Sequence, residues 1–264
     1  MLGTTKIYGC IADPIEHVKA PTIFTSIFKS KNIDAVMIPL NVSSSNLKNL
    51  IESLKSIKNF QGLTVTIPHK SSVVELCNFL DPEAESTQAV NWIKFDNNRK
   101  LIGNNFDGKG FVNGFLSQSF TFFGKIVCIF GSGGAAVAIG CSLAKEGIKE
   151  LKLVNRDVKK AKELKKRINI INKDLKVTVF FTYNYIITDC DIIINATSLG
   201  LKEKDEMPFD VTKSSSNCII ADIIMQPEET KLLKQAKSIG RPIHYGKNMI
   251  ESQIELVGDF LNLW

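Results

Sequence analysis

Short apolar runs alternate along this chain with stretches whose apolar residues recur every three or four positions. Residues 6–12 (KIYGCIA) predict a first strand, with Asp13-Pro14 as its turn. Pro21 suits a first helical position, and residues 22–31 carry Ile23, Phe24, Ile27 and Phe28 at helical spacing. A second strand is expected over 35–42, a second helix over 46–57, and a third strand over 62–67 (GLTVTI), stopped by Pro68. Residues 70–76 read as a short helix. Residues 90–95 and 100–104 flank the polar turn 96–99 and predict a hairpin at the sheet edge. Asp107-Gly108 ends that pair, and residues 109–119 form a linking helix.

From residue 126 the alternation is more regular. Strands are expected at 126–130, 151–155, 177–181, 191–196 and 218–224, with helices between them, and a helix at 228–239. Residues 242–245 and a last helix over 248–261 finish the chain. Strand–helix alternation of this kind implies parallel crossovers and an α/β class in both halves. The length suffices for a sizeable core and two compact units.

The stretch 125–147, KIVCIFGSGGAAVAIGCSLAKEG, organises the second half. An apolar strand runs into Gly131, Ser132, Gly133 and Gly134, and a helical pattern opens at Ala135. Gly131, Gly133 and Ala136 match a dinucleotide fingerprint: a tight turn, close backbone approach to a pyrophosphate, and helix packed on strand. The unpaired N–H groups at the helix start favour an anion. Alone, such a turn is equally a close-packed corner. The next strand, however, ends at Asn155, where a cofactor without a 2′-phosphate meets an acid; here Arg156 and Lys160 stand beside it. That favours NADP, while Asp157 leaves NAD open.

Composition narrows the partners. Lys and Arg total 33 against 27 acids, a net charge of +6. Much of the excess lies on one helix (Lys159, Lys160, Lys162, Lys165, Lys166, Arg167) without interleaved aromatics, which reads as a solvated face and not as a nucleic-acid site. Cys10, Cys77, Cys128, Cys141, Cys190 and Cys218 form no C-x-x-C pair, and His17, His69 and His244 are dispersed, so no metal site is expected. Reduced thiols, no signal-like leader and no apolar run of the roughly 20 residues that span a bilayer predict a soluble cytoplasmic protein. Trp92, Phe106 and Phe111 are expected in the core. Ser198 has no histidine partner in sequence, which argues against a hydrolase triad.

The sharpest segment outside the glycine loop is 64–70, Thr-Val-Thr-Ile-Pro-His-Lys. It sets Thr64 and Thr66 on one strand face and Lys70 beyond the strand's C-terminal end, where ligands of open α/β sheets collect. Asp107 also ends an apolar stretch. A lysine and an aspartate there suit proton relay on an alcohol or ketone while a hydride moves. From composition alone, a surface lysine and a loop-capping acid would be the commoner reading.

Ordered blocks along nearly the whole chain tip that balance: GCIADPIEHVKAP at 9–21, GLTVTIPHK at 62–70, AVN at 89–91, GNNFDG at 103–108, GSGGA at 131–135, Asn155-Arg156, NATSLG at 195–200 and GKNMIESQ at 246–253. With these the chain resembles the shikimate dehydrogenase family. The resemblance implies a substrate-binding and catalytic α/β domain with a mainly parallel sheet over 1–108. It implies a doubly wound Rossmann NADP-binding domain over 109–245, and a C-terminal helix, 246–264, that packs back onto the first. It implies that Lys70 and Asp107 are the catalytic pair, that Thr66, Asn91 and Gln253 contact substrate, and that Gly131, Ser132, Gly133, Gly134, Ala135, Asn155, Arg156, Lys160, Thr197 and Gly246 serve the cofactor. The chemistry implied is reversible NADP-linked reduction of 3-dehydroshikimate to shikimate, without metal, in aromatic amino-acid biosynthesis.

The departures lie on the substrate side. The family's His-Ser-x-Ser-Pro reads His17-Val18-Lys19-Ala20-Pro21, the asparagine before the Val-Thr pair is Thr64, and a tyrosine is replaced by Met225. Val18, Ala20 and Thr64 therefore stand at substrate-contacting positions with altered chemistry. Two lost hydrogen bonds to a carboxylate, at about 1.5–3 kcal/mol each, would weaken its binding by roughly 10²–10⁴-fold. A divergent paralogue acting on a small cyclic hydroxy acid or polyol, as a monomer or homodimer, is expected. The alternative is an NADP(H)-binding regulator with little turnover.

Overall fold

The computed structural model describes residues 1–16, 18–181 and 187–264; His17 lies outside them. The chain divides into two compact units, Met1–Phe106 with Glu255–Trp264, and Asp107–Ile254.

In the first unit, strands β1 (Lys6–Ala12), β2 (Ala35–Asn41), β3 (Phe60–Val65), β4 (Phe79–Leu80), β5 (Trp92–Phe95) and β6 (Leu101–Asn104) form one sheet in the order β2-β1-β3-β5-β6-β4. β1 runs parallel to β2 and β3, and β5 runs antiparallel to β3 and β6. The alternation along β1 and β3 separates two apolar layers. Ile11, Leu63 and Val65 join Leu47, Ile51 and Leu54 of helix α2 (Leu47–Leu54). Tyr8 and Cys10 join Phe24 and Phe28 of helix α1 (Ala20–Ser30), together with Trp92, Phe106, Val257, Phe260 and Leu261. A further helix, α3 (Pro82–Thr87), follows β4.

The second unit carries helices α4 (Asp107–Leu116), α5 (Gly134–Leu143), α6 (Val158–Ile171), α7 (Lys231–Ser238) and α8 (Gly246–Glu251). Its sheet is wholly parallel: β7 (Ile126–Phe130), β8 (Glu150–Asn155), β9 (Lys176–Phe181), β10 (Ile192–Asn195), β11 (Ile219–Asp222) and β12 (Ile243–His244), ordered β12-β11-β10-β7-β8-β9. Read from β7, this is the strand order of a doubly wound dinucleotide fold, with its switch point between β7 and β10. Both faces are apolar. Val127, Ile129, Leu151, Leu153, Ile192 and Ile194 face one layer, and Cys128, Phe130, Val154, Ile193 and Ile220 the other.

Several expectations need correction. The hairpin β5–β6 is not at the sheet edge, because the two residues of β4 pair outside β6. Residues 70–76 hold only a single 3-10 turn, Val74–Leu76. The last helix breaks at residues 252–253 into α8 and α9 (Ile254–Leu261), and the return to the first unit begins at Glu255, not at residue 246. α8 instead packs on α4, where a Cβ on Gly114 would lie 2.6 Å from the Asn248 carbonyl. Between β10 and β11 only a 3-10 turn forms, Val211–Lys213. The six cysteines are free, and burial pushes the thiols of Cys10, Cys77 and Cys218 up to about 12.

Candidate active site

In the first unit the chemistry-bearing residues gather at the C-terminal end of β3. Thr64 lies opposite Trp92, and its hydroxyl donates to the Asn91 carbonyl at 3.1 Å. The same carbonyl accepts the Val65 N–H, while the Thr66 N–H donates to Ile11. The Lys70 carbonyl accepts from the Val90 N–H, so the lysine's backbone is tied to the residue just before Asn91. Asn91 in turn accepts from the Phe106 N–H through Oδ1 at 2.9 Å. Thr64, Thr66, Lys70 and Asn91 therefore share one hydrogen-bonded frame.

Struts below the frame were not legible in sequence. His69 is fully buried, with Nε2 2.7 Å from the Val42 carbonyl, which anchors the turn preceding Lys70 and leaves Lys70 itself half-exposed. Asn105 donates to Thr87 Oγ1 and to the Ala89 carbonyl, and Asn104 donates to Asp81. Polar residues after an apolar run look like loop; only the fold reveals them as buried donors.

Val18 and Ala20 pack half-buried against the Phe24–Trp92–Phe106 layer, while Lys19 between them is exposed. Met225 is half-buried in the second unit.

In the second unit, Asp107 is buried at the first turn of α4. The helix can sit close to its neighbours because it is built on glycine. A Cβ on Gly108 would lie 2.2 Å from the Ala138 carbonyl of α5, and one on Gly110 would lie 2.4 Å from the Gln253 side chain. Gln253 is thereby held on the same helix that Asp107 begins, and residues three apart on a helix share a face.

The glycine loop fits a dinucleotide. Gly131 has φ +113°, and a Cβ there would meet the Ala196 carbonyl at 2.7 Å. Gly133 and Gly134, where α5 starts, face open space at the Cβ position. Ser132 Oγ is buried with no hydrogen-bond partner among the described residues. Asn155 ends β8, its amide donating to the Asp157 carbonyl at 3.1 Å. Asp157, the residue that left NAD open, is committed elsewhere: its carboxylate caps α6, accepting from the N–H groups of Lys159 and Lys160. Arg156 and Lys160 are exposed. Thr197 bonds Asn195 Oδ1, and Gly246 sits against the Ile224 carbonyl.

The second unit is thus a Rossmann-type dinucleotide-binding unit with a loop shaped for a pyrophosphate and a basic strand end beside it. Comparison with known proteins makes the assignment specific. Family models described as "Shikimate dehydrogenase substrate binding domain" and "Shikimate / quinate 5-dehydrogenase" match residues 10–93 and 116–227. A protein of Methanosphaera stadtmanae named shikimate dehydrogenase (NADP(+)) is 37% identical over 95% of this chain and 89% of its own length. A crystal structure of a shikimate dehydrogenase in complex with NADP+ superposes with a TM-score of 0.92 at 31% identity, over 99% of this chain and 91% of that one. A 5-ketofructose reductase of Gluconobacter sp. strain CHM43 superposes at 0.87 with 29% identity, over 97% and 92%. The chain belongs to the shikimate dehydrogenase family. Among the described residues, no helix is long and apolar enough to cross a membrane.

Proposed function

We propose that this chain catalyses the reversible NADP-linked reduction of 3-dehydroshikimate to shikimate, or of a closely related cyclic hydroxy compound. The observation that carries the reading is the frame that ties Thr64, Thr66, Lys70 and Asn91 to one strand end, in a chain that also holds an open glycine loop. Bound NADPH would supply the hydride. Gly131, Ser132, Gly133, Gly134 and Ala135 would receive the pyrophosphate, and Asn155, Arg156 and Lys160 the phosphorylated ribose. Thr197 and Gly246 would face the nicotinamide side.

On this reading Lys70 does the proton chemistry. Its ammonium offsets the negative charge that develops on the carbonyl oxygen, then gives that oxygen a proton as C=O becomes C–OH. In the oxidation direction the amine takes the proton back. Asp107 is the acid that the family resemblance pairs with this chemistry, and its carboxylate accepts from a substrate hydroxyl. Thr66, Asn91 and Gln253 orient the ring through hydroxyl and amide bonds.

Val18 and Ala20 favour a second reading of the substrate: their half-buried packing on an aromatic layer suits a ring face or a polyol better than a carboxylate. The 5-ketofructose reductase among the structural relatives is named for a substrate of that kind. The test is NADP+ reduction with shikimate, quinate and a keto-sugar alcohol, for the wild type and Lys70→Ala. At least one substrate should turn over, and Lys70→Ala should lose about 10²–10⁴-fold in kcat with NADPH affinity unchanged. A wild type that binds NADPH tightly yet is inert to the whole panel would mark a regulator instead.

A further inference from the structure

We propose that Asp222 is a positioning residue for the nicotinamide half of the dinucleotide, its carboxylate pinning the loops that floor the C-terminal ends of β7, β10 and β11. The proposal rests on the NADP reading above. Asp222 is fully buried at the end of β11. Its Oδ1 accepts from Asn195 Nδ2 at 3.2 Å and from the Ile224 N–H at 3.0 Å, and its Oδ2 accepts from the Thr230 hydroxyl at 2.8 Å.

Each partner holds a different segment. Asn195 uses its remaining amide proton on the Leu199 carbonyl and its Oδ1 on the N–H and hydroxyl of Thr197, which locks the 195–199 loop. Thr230 caps α7 by accepting from the Leu233 N–H. The pinned backbone then meets two glycines at close range. The Ala196 carbonyl lies where a Cβ on Gly131 would sit, and the Ile224 carbonyl lies 2.4 Å from the Cβ position of Gly246. One carboxylate thus sets the floor beneath the glycine loop, the Thr197 loop and the start of α8.

The sheet order says which part of the ligand rests there. Asn155 and Arg156 lie beyond β8 on one side of β7, while β10 and β11 lie on the other. A dinucleotide with its phosphorylated ribose at Arg156 and its pyrophosphate at the glycine loop carries its other end over β10 and β11. Among the described residues three donors and no acceptor surround the carboxylate, so an amide in its place would set an N–H against a donor. Among the described residues the charge has no cationic partner, and burial pushes the Asp222 carboxyl up to about 6. An ionisable group buried at the strand ends where ligands gather suits a functional placement.

The experiment measures the affinity of the full chain for NADPH and for adenosine 2′,5′-bisphosphate, which lacks the nicotinamide half, in wild type, Asp222→Asn and Thr230→Val. Asp222→Asn should weaken NADPH by about tenfold or more, the worth of one charge-assisted hydrogen bond, and leave the bisphosphate within about twofold. Thr230→Val, which removes a donor at constant volume, should show the same selectivity at smaller size, and it carries the test if the asparagine variant does not fold. Equal losses for both ligands, or no loss for either, would overturn the proposal. A wild type that does not bind NADPH would overturn the cofactor reading itself, and this inference with it.

Discussion

Replacing Asp222 by asparagine should unmask an opposing titration elsewhere in the same unit. Below its ordinary value of 3.8 the Asp222 carboxyl is protonated in both folded and unfolded chains. Between 3.8 and about 6 the folded chain retains a proton that the unfolded chain has lost, so stability falls as pH rises through that window, by about 3 kcal/mol. His244 acts in the other direction. It is buried, with Nδ1 against Gln118 Oε1, Asn248 nearby, and the rings of Phe111 and Phe115 edge-on to it. Burial pulls it from 6.5 down to about 4, so stability is complete above 6.5 and is lost as pH falls toward 4, again by about 3 kcal/mol.

In the wild type the two slopes nearly cancel between pH 4 and 6, the window bounded by these pKa values. Asp222→Asn removes one of them, and the variant should gain about 3 kcal/mol relative to its own acid value as pH rises across the window. With a urea slope of about 2–3 kcal/mol per molar, that is a midpoint shift of roughly 1 M. Far-UV circular dichroism follows the whole chain. Parallel pH profiles for wild type and Asp222→Asn would refute the reasoning.

Three further outcomes are expected. Arg156→Ala should lower affinity for NADP by about tenfold more than for NAD, measured by paired titrations; equal losses would contradict a 2′-phosphate contact. Val18→Ser combined with Ala20→Ser should raise kcat/KM for shikimate by about ten- to a hundredfold, and an unchanged value would mean that any carboxylate is held elsewhere. Gly108→Ala should destabilise by about 1–3 kcal/mol in thermal melts, since its Cβ would fall 2.2 Å from the Ala138 carbonyl and 2.3 Å from Ser142 Oγ; an unaltered melting temperature would deny the close α4–α5 packing.

Residue order alone determined the elements that rest on local pattern. Strands such as Ile126–Phe130 and Glu150–Asn155 are apolar over their full length because both faces are covered, and Gly131 announces a turn that only a residue without Cβ can make. The ordered blocks likewise named the residues of the candidate site. Tertiary structure decided what those residues rest on and what they are committed to. In sequence Asp157 only leaves NAD open; in the fold its carboxylate caps α6. In sequence Asp222 falls inside the strand expected over 218–224; the fold ends β11 there, with Asn195 and Thr230, distant in sequence, donating to it. β4 is too short to carry a periodic signal, and the break between α8 and α9 lies inside an apparently continuous helical pattern. Local periodicity reports which face of an element is buried. The partners of a buried polar group are set by chain segments that sequence spacing does not relate, so only the folded packing can assign them.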